Sequence, residues 1–189
     1  MKKLFFLAGV VALFSASAFA QGAGKVTTKD FTGTWVLDVS KSKLDERARI
    51  ESMTMTVAQT DKELKVTTET KRQAPPADAA GGSGGGGGRG GRGGFGGGDG
   101  TNTYTLDGKE TTTQRETSMG PIPVKHTAML DAGRVRISSS STFTGQNGEV
   151  TITNKEAWSM SDDGKTLTVE RESTSPRGTS STTMVFAKK

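Results

Sequence analysis

The sequence predicts an all-β chain, an antiparallel up-and-down barrel of about eight to ten strands. Three observations carry this expectation. Apolar residues alternate with Thr, Ser, Lys and Glu in stretch after stretch, the period of a strand with one dry face and one wet face. The stretches are joined by tight connections such as Asp-Gly, Asp-Ala-Gly and Ser-Asp-Asp-Gly, so each strand should pair with its neighbour in sequence. Long apolar patterns at helical spacing are missing. A meander of that many twisted strands closes on itself, because closure removes two exposed edges.

A targeting segment precedes the barrel. Lys2 and Lys3 form a short basic start, Leu4 to Phe14 is an apolar run too short to span a bilayer, and Ala18-Phe19-Ala20 offers small residues for cleavage. This predicts a signal peptide over residues 1–20, cut before Gln21, and an exported protein, periplasmic or secreted. The run's length and its small-residue exit argue against an N-terminal membrane anchor. No second membrane segment is expected. The chain has no Cys, which rules out disulfides and an acylated cysteine, so packing and hydrogen bonds must hold the fold. The formal charge of +5 falls to about +3 without Lys2 and Lys3, a weak argument for a polyanionic partner. Residues 21–30 read as a flexible leader and 31–189 as a single domain.

Within that domain "GTWVLD" is the first strand. "SKSKLDERARI" follows, either a helical turn or an irregular crossing. "SMTMTVAQ" puts Met53, Met55 and Val57 on one face, and "KELKVTTETK" does the same with Leu64, Val66 and Thr68. Thr60 and Asp61 between them predict a hairpin. "NTYTL" and "KETTTQ" flank Asp107-Gly108, read as a two-residue hairpin loop because both positions tolerate positive φ. "VKHTAML" and "RVRISSSSTF" flank "DAG", "EVTITNKEAWSM" and "KTLTVERES" flank "SDDG", and "STTMVFAK" closes the chain.

Residues 72–100 interrupt the meander with Pro and Gly and cannot form a packed element, so they read as a disordered loop inserted in the barrel. Their "RGGRGGF" resembles an RNA-binding segment. Only Arg89, Arg92 and Phe95 would contact nucleic acid, Asp99 opposes them, and export removes cellular RNA. Nucleic acid is therefore not the expected partner.

Catalysis finds little support. His126 is the single histidine, so a site of several imidazoles is impossible, and no G-x-S-x-G elbow accompanies it. We expect no catalytic residues, no metal and no cofactor. His126 shares a face with Val124, Ala128 and Leu130, which suits a hydrogen-bonded wall residue better than a base. A hydrolase built on His126 is the competing enzyme reading. Asn154 and Glu156 share inward parity with Val150, Ile152, Trp158 and Met160, and Arg171 shares it with Leu167 and Val169. A four-residue loop would set Asn154 opposite Arg171, with Glu156 diagonal. Charges inside a barrel must pair or meet a ligand. Two readings follow: an internal Glu156–Arg171 ion pair, or recognition of an anionic or polar group by Arg171 with His126. Ser139 and Ser141 extend the polar strip.

The opening "DFTGTWVLD" resembles the calycins, the superfamily of lipocalin-like barrels, in which a Gly-x-Trp heads the first strand. The resemblance implies that Gly33 permits close approach and that Trp35 plugs one barrel end. F-x-G-x-W together with "WSMSDDGKTLTVER" is similar to a pattern in a set of exported bacterial proteins. The departures are plain: "STTMVFAKK" has no Arg to stack on the tryptophan, only Lys188 and Lys189, and the lipocalin threonine-aspartate-tyrosine motif and the Arg-x-Tyr clamp of fatty-acid-binding proteins are both absent. The expected function is non-catalytic binding of a small hydrophobic or amphipathic ligand inside the barrel, with Arg171, Glu156, Asn154, His126, Met53, Met55 and Trp158 as candidate contacts. The alternative is a filled barrel that recognises an envelope protein or polysaccharide through its loops.

Overall fold

The computed structural model describes residues 29–45, 48–74, 99–117, 120–145 and 148–189. The expected signal peptide, the leader up to residue 28 and residues 75–98 of the expected insertion, with "RGGRGGF", lie outside the described residues.

Ten strands form one antiparallel sheet: β1 Gly33–Leu37, β2 Ile50–Gln59, β3 Glu63–Arg72, β4 Gly100–Thr105, β5 Thr111–Thr117, β6 Gly120–Asp131, β7 Arg134–Gly145, β8 Gly148–Met160, β9 Thr166–Ser175 and β10 Gly178–Lys188. Their order is β4-β3-β2-β1-β10-β9-β8-β7-β6-β5. The sheet curls into a nearly closed barrel, as expected from the alternation. The crossing after β1 is irregular. A 3-10 turn, Val39–Lys41, is capped by the Asp38 carboxylate, and Lys43 then bridges to Thr183.

One expected hairpin does not form. β4 and β5 are the two ends of the sheet and share no ladder. Asp107 and Gly108 turn instead onto β6, where Asp107 bridges Met129 and the Gly108 amide donates to the Ala128 carbonyl at 2.9 Å. Gly108 does adopt the expected positive φ, 75°. Asp107 does not, and β6 reaches five residues beyond its last β5 pairing, Thr111↔His126, and captures the turn. The barrel thus carries a seam between β4 and β5, crossed by an edge-on contact of the Tyr104 and His126 rings at 5.5 Å.

The inner face is graded along the barrel axis. At one end Phe31, Trp35, Leu64, Val135, Trp158, Leu167 and Phe186 are all at most 2% exposed. Lys29 ties this end across by donating to the Met160 carbonyl. Past the middle the inner face turns polar, with His126, Ser139, Ser141, Asn154 and Thr182 all buried. At the far end the β6–β7 ladder stops at Val124↔Ser141, where β6 enters Pro123 and Pro121. Proline has no N–H to give a central ladder, so the β5–β6 hairpin parts from β7 there. Ile122, Phe143, Val150 and Ile152 line this mouth half-buried.

Candidate functional site

The apolar end of the barrel is packed around Trp35. Trp35 is fully buried, and its indole N–H donates to the Phe31 carbonyl at 2.9 Å. Gly33 sits at φ 146°, and a Cβ there would lie 2.8 Å from Lys188 Cε. That closeness has a purpose, since Lys188 Nζ lies 5.2 Å from the Trp35 ring centroid. Lys188 thus makes a cation–π contact with the Trp35 ring. Neither Gly33 nor Trp35 lines the small cavity that Met53, Met55 and Trp158 share.

The chemistry lies higher, at the step from apolar to polar wall. Glu156 stands directly opposite Arg171 in the β8–β9 ladder, and Asn154 opposite Ser173. The expected register was two residues off, because the connection is longer than "SDDG". Ser161 and Thr166 still bond backbone to backbone, and Lys165 belongs to the turn. Asp163 and Ser161 side chains stabilise that turn by accepting from the Lys165 and Thr166 amides.

The consequence is a bonded ion pair. Arg171 donates from Nε and Nη2 to Glu156 Oε1 at 3.0 and 2.7 Å, and the Trp158 indole N–H donates to Oε2 at 2.9 Å. The two charged side chains are only 10% and 9% exposed. Both carboxylate oxygens are thus engaged, and Arg171 is neutralised by its neighbour. Of the two sequence readings, the internal ion pair is the one this geometry shows.

His126 is a wall residue with its Nε2 2.9 Å from the Thr113 hydroxyl. Burial, helped by the charge of Arg115, holds its pKa below the ordinary histidine value, so the ring stays neutral. Its Nδ1 finds no partner, nor do Asn154 Oδ1 and Thr182 Oγ1. Tyr104 lies on the same level, and burial followed by the nearby Glu156 charge pushes its phenol well above the usual range.

Met53, Met55, Glu156, Trp158 and Arg171 line one small, partly open space of about 40 Å³ together with Thr68, Asn102, Tyr104 and Met184. The structure therefore brings five of the seven candidate contacts to one cavity. Asn154 and His126 lie beside it on the polar strip rather than in its lining. Sequence reasoning missed Tyr104, Asn102, Thr182, Met184 and Arg115. Parity within "NTYTL" and "STTMVFAK" could have found the first four. Arg115 shares inward parity with Thr113 in "TTTQRET", a strand too polar for its inner face to be obvious. Among the described residues no group of three or more His, Asp and Glu side chains could hold a metal ion.

No family model and no curated protein matches the chain. Among solved structures it is similar to zebrafish ileal bile acid-binding protein crystallised with cholic acid. The two share 14% identity and a TM-score of 0.45 over 84% of this chain and 98% of that one.

Proposed function

We propose that this chain is an exported, non-catalytic binding protein that takes a small amphipathic molecule into the barrel through its mouth. One observation carries the reading: the interior has two chemically different walls. Met53, Met55, Val66, Met184 and Phe186 form an apolar side. His126, Ser139, Asn154 and Thr182 form a buried polar strip in which three atoms lack partners. Buried polar atoms are nearly always satisfied, so such a strip has hydrogen-bonding capacity to give a ligand. Methionines are the side chains best able to repack around one.

The volume of about 40 Å³ favours a second reading. Small-molecule sites usually occupy some hundreds of Å³, so a ligand must push the methionine side chains aside. A barrel that stays filled would instead act through its loops on an envelope protein or polysaccharide. Titration with an environment-sensitive apolar fluorophore, with native mass spectrometry of protein drawn from its own compartment, separates the two. Saturable one-to-one binding supports the ligand reading. No saturable site and no co-purifying small molecule overturns it in favour of the filled barrel.

A further inference from the structure

The ion pair at Arg171 leaves open which inner-face charge could meet an anionic ligand, and the barrel seam supplies one. Arg115 lies on β5 opposite Ile122, on the face that carries Thr113, and is half-buried. It makes no ion pair among the described residues. Its charge acts on the His126 and Tyr104 rings, which meet edge-on across the seam. A half-buried cation without an ion pair gains strongly from a counter-charge.

A second observation points to the same place independently. His126 is 5% exposed, yet its Nδ1 has no partner. When Nε2 accepts from the Thr113 hydroxyl, Nδ1 carries the hydrogen and is a donor without an acceptor. Asn102 across the seam on β4 lines the cavity and adds an amide. β4 and β5 end the sheet without a ladder between them, so the seam is also where the wall can most easily spread.

We propose that the β4–β5 seam binds the oxyanionic head group of the amphiphile, with Arg115 as its charge partner and His126 as a second donor. Arg171 is not the anion's partner, because Glu156 already holds it. The proposal rests on the ligand reading above and names the ligand's chemistry: an alkyl or ring body against the methionine wall, ending in a carboxylate or similar group at the seam.

Calorimetric titration with octanoate, 1-octanol and acetate tests it. Octanoate should bind about tenfold more tightly than octanol, the scale of one charge-assisted contact. R115Q should remove that preference, bringing octanoate affinity down to about that of octanol. R115M serves the same purpose if R115Q does not fold. If either variant binds octanoate as the wild type does, the head-group site is elsewhere and the proposal falls, while the amphiphile reading stands. Acetate binding as tightly as octanoate would make the seam a site for free anions and overturn the proposal. If neither octanoate nor octanol binds the wild type, the ligand reading falls with it.

Discussion

Glu156 and Arg171 show what a buried charge demands of its surroundings. Their strength lies in completeness, since the carboxylate is bonded at both oxygens by Arg171 and Trp158. Removing one partner strands the other. E156Q should lower unfolding free energy by about 3–5 kcal/mol, whereas the double change E156L/R171M should recover most of the loss. Urea denaturation of the three proteins checks both. His126 sets a different dependence. Its folded-state pKa is depressed by burial, so the folded state binds fewer protons than the unfolded one. Its contribution is complete above about pH 6.5, the unfolded value, and is lost as pH falls through the folded value. Stability followed from pH 7.5 to 5 should decline, and H126Q should flatten that decline. The lowered carboxylates of Asp30 and Asp38 act only further into acid. At the plugged end, G33A must adopt φ near 146° and push Lys188 from Trp35. A cost of about 1–3 kcal/mol, read from thermal unfolding, is expected.

Strands were easier to read than their partners. Alternation and turn residues together located all ten, because a barrel wall with one dry face writes its period into most of its strands. Met53, Met55, Leu64, Val66, Ser139 and Asn154 all face inward as their parity demanded. Two pairings escaped. Asp107-Gly108 has the composition of a hairpin loop, and only the extra length of β6 tells that it docks there. The β8–β9 register slipped by two because loop length cannot be counted from turn residues alone. Arg115 was hidden for a related reason: a strand of Thr, Gln, Arg and Glu has no apolar marks to show which side is inner. The missing β4–β5 ladder predicts its own dynamics. Amide hydrogens of β4 and β5 should exchange well before those of β7 and β8, whose ladder runs from Val135↔Trp158 to Gly145↔Gly148. Equal protection across the seam would mean that the two edges are paired after all.

For the molecule as a whole, a nearly closed ring of strands gives two ends with different chemistry. One is sealed by Phe31, Trp35 and Trp158; the other splays where Pro121 and Pro123 end a ladder. Between them the interior passes from apolar to polar, and an amphiphile entering at the mouth would meet methionine on one side and His126, Asn154 and Arg115 on the other. β3 and β4 pair from Glu63↔Thr105 to Thr68↔Gly100, so the chain leaves and rejoins the wall beside itself. Deleting residues 79–98 should therefore keep the barrel, with an unfolding midpoint close to that of the full chain. Loss of cooperative unfolding would refute that placement. The central claim is that the interior opens for an amphiphile, and methionine methyl groups report on it directly. In protein labelled with 13C-methyl methionine, titration with octanoate should shift and saturate the signals of Met53, Met55 and Met184. Met129, which is 46% exposed on the outer face, should stay unmoved. Interior signals that do not respond while the protein remains folded would contradict a ligand-binding barrel and leave the filled one.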